Sequence, residues 1–194
     1  MQKFINFVIS AFNNRKTLFY ISVAIFILGV ILGLVLSLNE DFLCFYRDFL
    51  ARYFERLFKK ERIFSFLIKR IFTCILILTL IFLLSLNKVT FYVIFLILFY
   101  RAFILGLALK LFISNLLLNG AFIFLFLVLI NAVFLSIAII FYICSTFKKF
   151  EKLNNCNINF LLKVLLFSII IASFGSIIEF IFLVVIIRPL NFYF

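Results

Sequence analysis

The chain has 194 residues, 68% of them hydrophobic, with one proline, no histidine, no tryptophan, 33 phenylalanines and a net charge of +12; its mean hydropathy is +1.37. This profile excludes a soluble domain and describes an integral membrane protein, a single membrane domain filling nearly the whole chain. The lysines and arginines lie between apolar runs, where anionic lipid headgroups would meet them, so the charge points to the lipid bilayer and away from nucleic acid.

A helix needs about 20 apolar residues to cross the hydrocarbon core. The first run that long covers about 17–38, just after Arg15 and Lys16. It exceeds a signal-peptide core and no small-residue cleavage site follows, so it reads as a retained anchor. Within it, Gly29 and Gly33 form a GxxxG spacing that lets two helix backbones approach closely.

Residues 39–62 change character. Phe42, Phe45, Phe49, Tyr53 and Leu57 recur at helical spacing, and Asp48/Arg52 and Glu55/Lys59 are i,i+4 pairs. The pattern predicts an amphipathic helix along the membrane between the first two spans. Arg47, Arg52, Arg56 and Lys59 then form a candidate partner surface.

Further spans are predicted at about 71–86, 89–113, 120–146 and 160–187, giving an all-α, polytopic protein with five transmembrane helices. The third carries Arg101 near mid-depth, Lys110 close enough to its end to snorkel, and a second small-xxx-small pair, Ala102 and Gly106. Asn131 sits near the centre of the fourth and is expected to bond across helices. On the fifth, Ser168, Ala172, Gly175 and Glu179 follow steps of four, three and four, so one narrow small-residue face ends in a carboxylate. That charge should point into the bundle, with Arg101 as the leading partner and Lys110 the second. The positive-inside rule leaves the orientation nearly undecided, because the basic residues are almost balanced between the two sides.

No catalytic, cofactor or metal site is expected. The chain lacks an imidazole base, a phosphate-cradling loop and a GxSxG turn, and Cys44, Cys74, Cys144 and Cys156 contain no CxxC pair.

Taken in order, five segments carry a family resemblance: "NNRKTLFYISVAIFILGVILGLVLSLN", "LIKRIFTCILILTLIFLLSL", "YRAFILGLALKLFI", "INAVFLSIAII" and "GSIIEFIFLVVIIRPL". Together the chain resembles the stage II sporulation protein M family of integral membrane proteins. The last segment is similar to the family's Gly-Ser-x-x-Glu signature. Ala102 stands where the family usually has Gly, and Ile130 and Ser136 where it has prolines. The resemblance implies a non-enzymatic scaffold in the cell membrane that localises a peptidoglycan-remodelling complex, with sporulation proteins D and P, during forespore engulfment. It also implies a cytoplasmic N-terminus, which would turn residues 39–62 toward the wall. Self-association is compatible with the same reading. The alternative is a transport-class protein, a small channel or the membrane subunit of an exporter, in which Glu179 would relay ions or protons.

Overall fold

The computed structural model describes residues 16–36, 63–124, 128–151 and 158–187. These form helices α1 (Lys16–Val35), α2 (Ile63–Leu84), the single turn α3 (Lys88–Phe91), α4 (Val93–Phe124), α5 (Ile130–Glu151) and α6 (Ile158–Phe182), the last running into a π turn at Leu183–Ile187. Among the described residues there is no strand. Five stretches are long and apolar enough to cross a membrane: Lys16–Val35, Phe64–Leu84, Val89–Ser114, Ile130–Phe147 and Ile158–Val185. The protein is an all-α, multi-pass membrane protein. The amphipathic segment expected at 39–62, with Arg47, Arg52, Arg56 and Lys59, lies outside the described residues.

Two of the expected boundaries move. The second span begins at Phe64 instead of about 71, because the apolar run resumes before Lys69 and Arg70 and one helix carries both through. The fourth begins at Ile130 instead of about 120, because α4 continues through Asn119 and Gly120 to Phe124. The "NK" turn is placed as expected: the Asn87 side chain accepts a hydrogen bond from the Val89 amide at 3.1 Å and starts α3.

The spans surround α5. Its membrane segment is 61% buried, against 17–33% for the other four, and its hydropathy is the lowest of the five. A helix enclosed by protein on most sides can be built this way, whereas its neighbours turn Leu76, Leu96, Leu166 and Ile170 outward to lipid. The shared core joins Leu78 and Ile81 of α2, Ile94 and Leu98 of α4, Leu135 and Ala138 through Cys144 of α5, and Val164 and Ala172 of α6.

Glycine sets two of the contacts. A Cβ on Gly29 would lie 2.7 Å from the Ala102 Cβ and 2.8 Å from the Phe99 carbonyl oxygen. One on Gly33 would run into the Phe103 carbonyl, and one on Gly106 into the Val30 carbonyl. The small pairs of α1 and α4 therefore face each other across touching backbones. Where α1 ends, Lys110 of α4 donates its ammonium to the Leu36 carbonyl, so a cation from a neighbouring helix caps it.

Candidate functional site: a buried carboxylate cluster beside an arginine-lined cavity

The face predicted on α6 is buried throughout: Ser168, Ala172, Gly175 and Glu179 all point inward, and Ser176 beside them is buried as well. At Gly175 a side chain would strike the ring of Phe134 on α5, so this glycine fixes how closely α5 and α6 pack. One turn later Glu179 is 0% exposed. A bare carboxylate there would be costly, so its oxygens must find donors.

It finds two. The Asn131 side-chain amide donates to Glu179 Oε2 at 2.7 Å, and Arg70 Nη2 lies 3.1 Å from Oε1. The same Asn131 nitrogen donates to Ser176 Oγ at 3.2 Å, while Asn131 Oδ1 accepts from Cys74 Sγ at 3.6 Å. Both amide hydrogens and the amide oxygen are thereby engaged, and reversing the amide would set its oxygen against the carboxylate. Cys74 and Ser176 also approach each other at 3.8 Å. The cluster ties α2, α5 and α6 at one end of the bundle, where α2 and α5 begin and α6 finishes.

The partner of Glu179 is thus Arg70, not Arg101 or Lys110. Arg70 lies six residues into its span, about 9 Å along a helix, and keeps 35% of its side chain exposed. Its guanidinium is 5.2 Å from the centre of the Phe66 ring, one turn back, a cation–π contact that holds it over the carboxylate. Asn131 also differs from its expected depth: it is the second residue of α5, at the rim of the span and not its middle. That position lets it reach the end of α6.

The residue missed in sequence reasoning is Arg70, together with Cys74. A signal exists: Cys74, Leu78, Ile81 and Ser85 form the buried stripe of α2, and stepping back a turn from Cys74 gives Arg70, then Phe66.

Arg101 lies on the wall of an adjoining cavity of about 140 Å³ shared with Arg70, Thr73, Cys74, Asn131 and Ser136. The remaining wall is apolar, including Ile104, Leu105, Ala108 and Val128. Among the described residues Arg101 has no hydrogen-bond or ion-pair partner. Gly29, Gly33 and Gly106 lie apart from this site, at the α1–α4 contact. Among the described residues, no three His, Cys, Asp or Glu side chains gather as a metal centre would require.

Comparison with protein-family models, with curated proteins and with solved structures finds no match.

Proposed function

We propose that this multi-pass membrane protein is a non-enzymatic scaffold that localises a peptidoglycan-remodelling complex, in the engulfment role implied by its resemblance to the stage II sporulation protein M family. One observation carries the reading. Two of the segments on which the resemblance rests, the Asn131 segment and the Gly175-Ser176-x-x-Glu179 segment, form one hydrogen-bonded cluster whose polar atoms bind one another. Within the five spans Glu179 is the only acid; Asn131 hydrogen-bonds one of its oxygens and Arg70 forms an ion pair with the other. Such an arrangement fixes helices; a relay would need further titratable groups along the membrane.

In this reading the N-terminus is cytoplasmic, residues 39–62 face the wall, and Arg47, Arg52, Arg56 and Lys59 engage the hydrolase partners, by family resemblance sporulation proteins D and P. Cys44 and Cys156 fall on links at opposite sides of the five spans, while Cys74 and Cys144 are buried. In a Cys156→Ser chain, a membrane-impermeant maleimide added to intact cells should label Cys44. Reversing the four charges should then release a co-purifying peptidoglycan hydrolase while the amount of folded protein stays constant. Labelling only after permeabilisation would overturn the wall-facing orientation. Retention of the hydrolase by the charge-reversed chain would overturn the partner surface. For the transport alternative, flux into vesicles that is abolished in Glu179→Gln at constant folded protein would replace the scaffold reading.

A further inference from the structure

The wall of the cavity beside the carboxylate cluster carries two guanidinium cations and no carboxylate. Arg70 Nη2 forms an ion pair with Glu179, but Arg70 Nε and Glu179 Oε1 are both buried with no hydrogen-bond partner. Arg101, on the same wall, has neither an ion pair nor a hydrogen bond among the described residues. The neighbouring hydroxyl hydrogens are already used: Thr73 donates to the Lys69 carbonyl at 2.8 Å and Ser136 to the Ala132 carbonyl at 2.7 Å. Both Asn131 amide hydrogens are likewise engaged. The N–H groups that remain to offer a ligand are those of the two guanidinium cations, which match the oxygens of a phosphate and whose positive charge repels a cation.

Charge accounting gives the same sign. Lys69, Arg70, Arg101 and Lys110 lie on the spans that meet at this end, and Glu179, already held by Arg70 and Asn131, is their only acid. A cavity of about 140 Å³ is far above the roughly 15 Å³ that admits one water, so an oxyanion fits. It is too small for a lipid's acyl chains, and the part of its wall made by Ile104, Leu105 and Ala108 is apolar. Arg70, part-exposed near the end of its span, puts the polar side of the cavity within reach of the headgroup layer.

We infer that this cavity is a phosphate-oxyanion site, formed by Arg101 and the free edge of Arg70, that takes the headgroup phosphate of an anionic membrane lipid. The site does not depend on the scaffold reading: a scaffold, a channel or an exporter subunit could each hold such a lipid.

The full chain is reconstituted in nanodiscs of phosphatidylcholine alone or with phosphatidylglycerol, and its thermal unfolding and lipid retention on transfer to detergent are measured. Phosphatidylglycerol should stabilise the native chain and be retained in preference to phosphatidylcholine, with the preference lowered at least about tenfold in Arg101→Gln, the loss of one charge-assisted contact. Lys69→Gln removes an exposed charge at the same end of α2 and should leave the preference intact. Ala108→Leu fills the cavity without altering charge and should also lower it; this variant carries the test if Arg101→Gln fails to fold. Stabilisation by millimolar inorganic phosphate in phosphatidylcholine discs, lost in Arg101→Gln, would keep the oxyanion site and assign it to a free anion. Equal loss in Lys69→Gln and Arg101→Gln would reduce the effect to general surface charge and overturn the site. So would the absence of any Arg101-dependent response to either probe.

Discussion

The two ends of the helix bundle solve the same problem with different chemistry. At the glutamate end, α2, α5 and α6 are joined by a charged cluster of Arg70, Asn131, Ser176 and Glu179, with a cavity beside it. At the opposite end, α2 and α5 are joined by neutral hydroxyls: Ser85 Oγ and the Tyr142 hydroxyl lie 2.6 Å apart, both 0% exposed, and Ser85 also donates to the Phe82 carbonyl at 2.7 Å. Around that pair the core is dense and aromatic, with the rings of Phe91 and Phe147 tilted against each other at 5.6 Å and those of Phe141 and Phe167 at 5.3 Å. A neutral pair can tolerate losing one member, since a hydroxyl left behind finds a backbone carbonyl. A buried charge has no such fallback. Stability should therefore be far more sensitive to single substitutions at the glutamate end.

The largest effect is expected for Glu179→Ala, which strands both the Arg70 guanidinium and the Asn131 amide. Breaking a buried pair typically costs about 3–5 kcal/mol, and the part-exposed Arg70 can relax toward the headgroups, which puts the loss near the lower figure, about 3 kcal/mol. Reversible unfolding by dodecyl sulfate in bicelles, followed by circular dichroism, would measure it; a loss below about 0.5 kcal/mol would erase the contrast between the ends.

A smaller effect sharpens which charge belongs to Glu179. Arg70→Gln and Glu179→Gln should each destabilise the bundle, and the double variant should recover about 1 kcal/mol relative to their sum. Arg101→Gln combined with Glu179→Gln should add to within about 0.5 kcal/mol. Coupling through Arg101 and none through Arg70 would contradict the geometry at 3.1 Å.

The smallest effect is expected for Tyr142→Phe. Ser85 retains its bond to Phe82, so the loss should be about 0.6 kcal/mol, the usual scale of a neutral hydrogen bond between membrane helices. A loss above about 2 kcal/mol would mean that the two ends are equally sensitive.

How much of this can be read from sequence depends on whether a residue carries information about its neighbours. Small residues do. Gly29 and Gly33 on one helix, and Ala102 and Gly106 on another, are places where a side chain would not fit, and the two patterns meet in the fold. The Ser168, Ala172, Gly175 and Glu179 face is legible for the same reason. Charges on nearly uniform apolar helices carry less, because hydropathy alone fixes neither the rotation of α2 nor its depth. The pattern therefore sets Arg70 at the flank of a span and Arg101 at its middle, and favours the wrong arginine. Only the tertiary arrangement, with α2 starting beside the end of α6, brings Arg70 to Glu179.

The contact between α1 and α4 has a consequence for how the molecule is made. Ala102 follows Gly29 by 73 positions, so at about 5–20 residues per second α1 leaves the ribosome some 4–15 s before its mate. For that interval its notched face has no matching backbone, only lipid or whatever inserts the chain. Helix α1 is thus among those that must wait for a distant partner, and during that wait its groove is open to the same groove of another nascent copy.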